Sequence, residues 1–332
     1  MNKRGLGTTG LEIAPLVFGG NVFGWTVDQR TAFTLLDRFV DAGLNAIDTA
    51  DAYSLWAPGN QGGESETIIG NWLKTSPGRR EKIVIITKVG SKLAEDKKGL
   101  SAQRILAAAE DSLRRLQTDY IDVYLSHQPD PETPVEETLR AYENLIQQGK
   151  VKAIGASNYS ATQLREALMI ASEKGTPHYQ VLEPEYNLYD RSSYEGELRD
   201  LCIEKGLGVI TYYSLASGFL SGKYRSHDDL GKSVRGQGVR KYLNDRGFRI
   251  LDALDRVAAS HNATPAEVAL AWLIAREGVT APIASATNIQ QVDSLIRAAQ
   301  LALIASDIDL LNTASEKTQA RAMMLMDGVA SI

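Results

Sequence analysis

The sequence is poor in cysteine, and Cys202 is the only one among its 332 residues. A single thiol cannot form an internal disulfide, and its apolar-periodic surroundings are typical of a buried structural thiol rather than a nucleophile. Long hydrophobic runs are also missing, because a charged residue interrupts each one before about 18 residues, the length that a membrane span needs. The first residues lack the apolar core of a signal peptide. We therefore expect a cytoplasmic protein with no membrane partner.

The sequence also lacks an excess of positive charge, with 36 basic and 41 acidic residues. Nucleic-acid binders need concentrated positive charge, so we expect no nucleic-acid partner. We also assign no metal ligands. The composition, 43% hydrophobic and 23% charged, is that of a globular protein with a large core, and it excludes a disordered, collagen-like or fibrous chain.

Short β-rich apolar runs alternate with longer segments of helical period from residue 16 to about residue 300. Eight βα units of about 36 residues each suit a strand, a helix and two loops, and near-continuous apolar strands are typical of a parallel sheet covered on both faces. The sequence therefore predicts an α/β fold, a (β/α)8 TIM barrel. The predicted strands are 16–20, 45–48, 83–88, 120–127, 151–157, 178–183, 208–212 and 279–284.

The predicted organisation is a single barrel domain over residues 1–332. Residues 1–15 form a hairpin plug at one barrel end, and residues 16–304 form the barrel. Residues 217–246 form a long polar loop after the seventh strand, and a loop of that length is typically a lid or a binding element, here a cofactor lid. Residues 305–332 form a C-terminal tail.

Residues 5–10 (GLGTTG) match the glycine pattern of a dinucleotide-binding fingerprint. That fingerprint needs a preceding strand and a helix opening at its third glycine. Only four residues come before it, and residues 11–15 alternate like a strand and end in proline. We interpret it as a hairpin turn.

Four polar residues fall at or near the predicted strand ends on one face of the barrel, where barrel enzymes hold their reacting groups: Asp48, Tyr53, Lys88 and His127. Each alone has a structural explanation as a cap, packing or core residue. Together they predict a proton-transfer site, because a nearby ammonium lowers the pKa of a phenol. Asp48 would hold Lys88 charged, and His127 would donate a hydrogen bond to a substrate oxygen. The pattern is typical of carbonyl reduction by an external hydride.

Four motifs, residues 48–53 (DTADAY), 86–88 (ITK), 122–127 (DVYLSH) and 155–158 (GASN), resemble the aldo-keto reductase family in order and spacing. The resemblance implies a (β/α)8 barrel, a nicotinamide cofactor, usually NADPH, and reduction of aldehydes or ketones as small-molecule substrates. The family's catalytic tetrad maps onto Asp48, Tyr53, Lys88 and His127.

The resemblance also implies the residues that hold the cofactor. Ser157, Asn158 and Gln180 would bind the nicotinamide carboxamide, and Tyr212 would stack on the ring, with the adjacent Tyr213 as the alternative. The other residues implied are Gly20, Asn21 and Asp48 near the nicotinamide, Leu215, Ser217 and Lys223 along the pyrophosphate, and Ser285, Thr287, Asn288 and Gln291 at the adenosine end. Phe23, Trp25 and Trp56 are the aromatic candidates for the substrate pocket, and Met324 in the tail is an aliphatic one.

The family commonly places Arg or Lys after the eighth strand, where the 2′-phosphate of NADPH binds. This sequence has no cation there before Arg297. We therefore expect NADPH to be preferred and NADH to be usable.

Two other functions remain open. Lys88 could be the nucleophile of a Schiff-base aldolase, although the adjacent Asp48 argues against it. The chain could also be a redox-sensing regulatory subunit that binds a nicotinamide nucleotide without rapid turnover, although the complete set of four residues argues against that.

Overall fold

The computed structural model describes residues 1–317 and has a closed parallel barrel, as the sequence predicts. Met324 lies outside the described residues. The barrel strands are β3 (Val17–Gly19), β4 (Ala46–Asp48), β5 (Val84–Val89), β6 (Ile121–Ser126), β7 (Val151–Ser157), β8 (Val181–Glu183), β9 (Gly208–Thr211) and β10 (Ala281–Ala284). They pair in the circular order β10-β3-β4-β5-β6-β7-β8-β9, and a helix follows each.

The helices pack around the outside of the barrel, and several begin where the sequence places a cap. Ser160 accepts a hydrogen bond from the Gln163 backbone while the Gln163 side chain returns one, and Thr264 and Glu267 form the same reciprocal cap. The helices are α1 (Gln29–Asp41), α2 (Glu64–Leu73), α3 (Ala102–Leu116), α4 (Val135–Gln147), α5 (Ala161–Lys174), α6 (Glu197–Lys205), α7 (Gly236–Val239), α8 (Asp245–His261), α9 (Pro265–Ile274), α10 (Ile289–Ala298) and α11 (Ala305–Ser315).

The predicted N-terminal hairpin is present as β1 (Arg4–Gly5) and β2 (Glu12–Ile13). Leu6 and Ile13 are fully buried among the side chains inside the barrel, so the hairpin closes the end where the strands begin. Its turn needs glycine, because Gly7 has a φ of +56° and a Cβ there would lie 2.2 Å from a backbone nitrogen of β9. The GLGTTG segment is therefore a hairpin turn, and the opposite end of the barrel is left open.

The segment after β9 is folded rather than extended. It consists of short helical turns at Ala216–Ser221, His227–Lys232 and Arg240–Tyr242 together with α7. Phe219 and Tyr242 stack at 5.3 Å between ring centroids and are buried. Because α8 begins at Asp245, the segment ends two residues before the predicted boundary. We call residues 217–244 the β9 cap.

Cys202 is buried in α6, and burial raises the pKa of its thiol to about 12. A thiol of that pKa stays protonated at neutral pH, in agreement with a structural role. Within residues 1–317, no helix combines the length and apolarity that crossing a bilayer requires, and no cluster of potential metal ligands occurs.

Candidate active site

A cavity of about 990 Å³ opens at the end of the barrel where the strands finish. This is the usual location of active sites in (β/α)8 barrels. The sequence-predicted residues that line it are Asn21, Asp48, Tyr53, Trp56, His127, Ser157, Asn158, Tyr212, Leu215, Ser217, Lys223, Ser285, Thr287 and Gln291. The structure therefore brings most of the candidate residues to one place.

Asp48, Tyr53 and Lys88 form a buried hydrogen-bonded triangle at the base of the cavity. Lys88 Nζ donates to Asp48 Oδ1 at 2.5 Å, to the Tyr53 hydroxyl oxygen at 2.9 Å and to the Thr49 carbonyl at 3.0 Å. The Tyr53 hydroxyl donates to Asp48 Oδ2 at 2.9 Å. All three ammonium protons and both carboxylate oxygens are thus engaged, which fixes the tyrosine hydroxyl.

The parallel register of β4 and β5 explains this triangle. Asp48 pairs with Ile86. Lys88 is two residues further along β5, so its side chain is on the same face of the strand as that of Ile86 and lies at the mouth of the barrel. Tyr53 lies in the turn after β4, and the next residue, Ser54, has a φ of +71° and donates to the Phe23 carbonyl at 2.6 Å. The turn is therefore tied to the segment that follows β3.

Lys88 acts on the pKa of Tyr53 in the expected direction and lowers it, but the net shift is upward. Burial, reinforced by the charge of Asp48, raises the pKa of Tyr53 well above its usual value and outweighs the opposing ammonium. The negative charge of Asp48 offsets the effect of the Lys88 ammonium on the pKa of Tyr53. Tyr53 is therefore a neutral hydroxyl donor throughout the physiological pH range.

His127 follows β6 and is also neutral. Burial, with the nearby Lys88 charge, lowers the pKa of His127 to about 3, and its Nδ1 has no hydrogen-bond partner among residues 1–317. Its ring meets the Tyr53 ring edge-on, with 6.0 Å between centroids. A neutral imidazole beside a phenol can donate a hydrogen bond to an oxygen without supplying charge.

Glu183, at the end of β8, is an acid that the sequence reasoning missed. It is buried, it lines the cavity, and its Oε1 lies 3.3 Å from Lys88 Nζ. The rule that selected Asp48 and His127, an ionisable residue where a predicted strand ends, applies equally to residue 183. The site therefore contains two carboxyl groups around one ammonium.

Asn158 and Tyr212 form a polar wall on the other side of the cavity. Asn158 has a φ of +63°, its Nδ2 donates to the His127 carbonyl at 2.8 Å, and its Oδ1 accepts from the Tyr212 hydroxyl at 2.6 Å. Tyr213 also lines the cavity and is half exposed. The side chain of Asn158 is thus oriented by two neighbours.

The assignment of Gln180 to this site is wrong. Strand β8 begins at Val181, three residues later than predicted, so Gln180 lies at the opposite end of the barrel. Its Nε2 donates to the Thr8 carbonyl of the hairpin at 3.0 Å. Glu183 occupies the cavity end of the same strand.

Gly20 and Phe23 do not line the cavity either. A Cβ at Gly20 would lie 2.9 Å from the Asp48 carbonyl, so this glycine serves close packing, whereas Gly19 and Asn21 face the cavity. Phe23 is fully buried and stacks on Phe18 at 5.4 Å between centroids.

Trp25 and Asn288 are also displaced from their predicted roles. Trp25 packs edge-on against Trp56, which itself lines the cavity, so Trp25 lies one ring further out. Asn288 is exposed, and its Oδ1 accepts from the Gln291 backbone as the cap of α10. Thr287 and Gln291 face the cavity instead.

Arg235 of the β9 cap is a second residue that was not singled out. It lines the cavity, its guanidinium lies 5.2 Å from the Trp25 ring centroid, and none of the ion pairs within residues 1–317 includes it. Its Nη2 is buried and has no hydrogen-bond partner in that part of the chain. Because a partly buried cation with no carboxylate partner among the described residues is costly, this position suits an anionic group of a bound ligand. Lys223 adds an exposed ammonium on the same side.

The polar groups around the cavity fit a nicotinamide dinucleotide. The amide of Asn158 and the hydroxyl of Ser157 flank the acid-base residues. The cations of Lys223 and Arg235 and several hydroxyl groups lie toward the β9 cap and α10. Ser285 donates to Asn21 Oδ1 at 2.6 Å, joining β10 to the segment after β3. These donors and cations suit an amide ring at one end and phosphate groups at the other.

Comparison with known proteins of similar sequence identifies the family. The sequence pattern described as "Aldo/keto reductase family" matches residues 15–316. "Uncharacterized oxidoreductase YrpG" of Bacillus subtilis (strain 168) is 33% identical over 314 residues, covering 92% of this chain and 94% of that protein. Proteins named "Probable voltage-gated potassium channel subunit beta" are 35% identical in Oryza sativa subsp. japonica, covering 88% of this chain and 89% of theirs, and 34% identical in Arabidopsis thaliana, covering 90% and 91%. The chain belongs to the aldo/keto reductase family.

Proposed function

We propose that this protein catalyses the reversible NAD(P)H-dependent reduction of aldehydes or ketones to alcohols. The observation that carries the proposal is the buried triangle of Asp48, Tyr53 and Lys88 at the base of a cavity that also contains a neutral His127. Acid-base groups fixed in this way, beside donors for an amide ring and phosphates, suit carbonyl reduction.

The bound nicotinamide would supply the hydride to the carbonyl carbon. Tyr53 donates its hydroxyl proton to the carbonyl oxygen as negative charge develops there, and its high pKa does not prevent this, because an alkoxide is a stronger base than a phenolate. His127 donates a hydrogen bond to the same oxygen and orients it. Lys88, held by Asp48, stabilises the phenolate left behind, since its ammonium is already in contact with that oxygen.

The cofactor proposed is NADPH, with NADH usable. Asn158 and Ser157 would hold the carboxamide, and Tyr212 would contact the ring, because all three residues line the cavity. Lys223 and Arg235 would neutralise phosphate charge.

Substrates would enter past Trp56, which is half exposed at the rim. We keep a cytoplasmic location as part of this proposal, where a buried free thiol such as Cys202 stays reduced.

The test is the loss of reduced-cofactor absorbance with a panel of aldehydes and ketones. Turnover that depends on both the carbonyl compound and the reduced cofactor supports the proposal. Tight binding of NADPH without turnover of any carbonyl would favour the alternative of a redox-sensing regulatory subunit, and the two plant relatives are themselves named as potassium channel subunits.

The Schiff-base aldolase remains the less favoured alternative. Burial alone would lower the pKa of Lys88, but the charge of Asp48, with that of Glu183 when it is ionised, reverses this and raises the pKa above its usual value. An amine that stays protonated is a poor nucleophile. Borohydride trapping of a carbonyl compound on Lys88 would contradict this argument.

We expect Arg235→Leu to raise the Kd for NADPH by about 10- to 100-fold, because a hydrogen bond to a charged group contributes roughly 1.5–3 kcal/mol. Arg225→Leu is the matched control, since Arg225 belongs to the same β9 cap but its guanidinium pairs with Asp255 at 2.8 Å. Fluorescence titration measures both. An unchanged Kd in Arg235→Leu would remove this residue from the cofactor site.

We expect Thr287→Arg to raise the NADPH:NADH ratio of kcat/KM by about 10-fold or more, because it adds a cation to the cavity rim near the start of α10. Thr287 is exposed, and its substitution leaves the Asn288 cap intact. Thr287→Gln, a longer neutral side chain at the same place, should leave the ratio unchanged. If both variants leave it unchanged, the 2′-phosphate is bound elsewhere, most simply by the cations of the β9 cap.

A further inference from the structure

Glu183 gives the site one more carboxyl group than the proposed chemistry uses. Asp48 and Glu183 reach Lys88 from β4 and β8, at 2.5 Å and 3.3 Å from its ammonium nitrogen. Both carboxyl side chains are about 2% exposed, and the lysine side chain is fully buried. Two buried carboxylates with one cation would leave a net negative charge out of water, which is costly unless a proton neutralises one of them.

The hydrogen bonds indicate which carboxyl group holds that proton. Burial raises the pKa of Asp48 as well, but both of its oxygens accept hydrogen bonds, one from Lys88 and one from Tyr53, and these bonds favour its carboxylate form. Glu183 contacts Lys88 only at the longer distance, through Oε1, and its side-chain contact with Asp48 raises the pKa of Glu183 and lowers that of Asp48, as expected if Glu183 holds the proton. The neutral acid is therefore Glu183.

The groups around Glu183 agree with this assignment. Burial, followed by the charge of Asp48, raises the pKa of Glu183 to about 8 against the opposing effect of Lys88. Tyr53 and Tyr212 also sense its charge, and both are neutral at pH 7. Glu183 is thus close to ionising at physiological pH, and a further positive charge placed beside it would favour its carboxylate form.

We propose that Glu183 changes its ionisation with the redox state of the bound nicotinamide, remaining a neutral acid beside the reduced ring and becoming a carboxylate beside the oxidised ring. The inference rests on the proposed function, because it requires the ring to bind in the cavity that Glu183 lines. The reduced ring is neutral, whereas the oxidised ring carries a positive charge that a carboxylate stabilises. Binding of the oxidised cofactor therefore releases a proton from Glu183 to solvent, and binding of the reduced cofactor does not.

The consequence is a pH dependence that differs between the two cofactor forms. The positive ring lowers the pKa of Glu183 in the complex below its value of about 8 in the free protein. Between these two values the affinity for NADP⁺ rises with pH by at most about tenfold per pH unit, and it becomes constant above the higher one. The affinity for NADPH has no such dependence. Titration of the 2′-phosphate is common to both forms, so it cancels in the ratio of the two dissociation constants.

The experiment measures Kd for NADP⁺ and NADPH by fluorescence titration from about pH 6 to about pH 8.5. In the wild-type protein we expect the ratio Kd(NADPH)/Kd(NADP⁺) to rise by about 10-fold or more over this range. In Glu183→Gln, which keeps the shape but cannot ionise, the ratio should be constant. Glu185→Gln is the matched control: Glu185 lies two residues further on, senses Asp190 and Lys241, and should keep the wild-type profile.

The outcomes separate the two proposals. If neither cofactor form binds the wild-type protein, the proposed function fails. If both forms bind and the ratio rises equally in wild type and Glu183→Gln, the cofactor site is correct and the role of Glu183 is overturned. Should Glu183→Gln fail to fold, calorimetry of the wild-type protein in two buffers of different ionisation enthalpy counts the protons released. Equal release with NADP⁺ and NADPH would then overturn the inference.

Discussion

Tyr53→Phe is expected to lower kcat for carbonyl reduction by about 10²- to 10⁴-fold, the range of general acid contributions. The substitution removes the one hydroxyl that Lys88 and Asp48 hold at the base of the cavity, and it removes no group that would contact the phosphates of the cofactor. The Kd for NADPH should therefore stay within about twofold. Steady-state kinetics with the best carbonyl substrate and a fluorescence titration measure the two quantities.

The matched control for this variant is Tyr120→Phe. Tyr120 precedes β6 at the opposite end of the barrel, where its ring packs against the Arg80 guanidinium. The kcat of the Tyr120→Phe variant should remain close to that of the wild-type protein. Reduction by Tyr53→Phe at a rate near that of the control would contradict the assignment of Tyr53 as the proton donor.

Lys88→Met is expected to be as damaging to kcat and to destabilise the fold as well. Removing the ammonium leaves two buried carboxyl groups, Asp48 and Glu183, without their cation, and breaking a buried ion pair from one side costs about 3–5 kcal/mol. Because the uncompensated acids can be neutralised by protons, this loss of stability should be largest near neutral pH and should shrink as the pH falls. Denaturant unfolding at several pH values measures it.

Lys152→Met is the control for that experiment. Lys152 is half exposed and pairs with Asp122 at 3.0 Å on the outside of the barrel. Asp122 is buried but keeps Arg80 as a second cation at 2.7 Å, so the loss of the half-exposed Lys152 ammonium should cost only about 0–1 kcal/mol. If Lys88→Met were no less stable than Lys152→Met at neutral pH, Lys88 would not compensate the two carboxyl groups as a buried ammonium.

The largest structural features of this chain could be predicted from local patterns. Parallel strands buried on both faces have near-continuous apolar sequences, and residues 83–88 or 151–157 are recognisable for that reason. Capping residues such as Ser160 and Thr264 mark helix starts within a few positions. Once eight such units are counted, strand ends must meet on one face, so Asp48 and His127 are brought together by topology alone.

The position of a side chain along a strand depends on a finer detail that the pattern does not contain. The predicted strand begins three residues before β8, and Gln180, assigned to the cavity, lies instead at the opposite end of the barrel. The predicted strand and β8 both end at Glu183, so the strand-end rule was sufficient to select this acid. The beginning of β8 is set by its pairing with β7 and β9 and by the hairpin beneath it. Those partners are far away in the sequence.

The sequence alone determined the residue types at the strand ends, and with them the capacity for acid-base chemistry. The tertiary structure determined the protonation states of those residues. A pKa depends on burial and on charges within a few ångströms, and the groups around Lys88 come from β4, β8 and the turn that carries Tyr53. Folding therefore made Tyr53 a neutral donor, His127 a neutral imidazole and Glu183 an acid near its midpoint. Arg235 likewise became a cavity residue only because the β9 cap folds back over the strand ends.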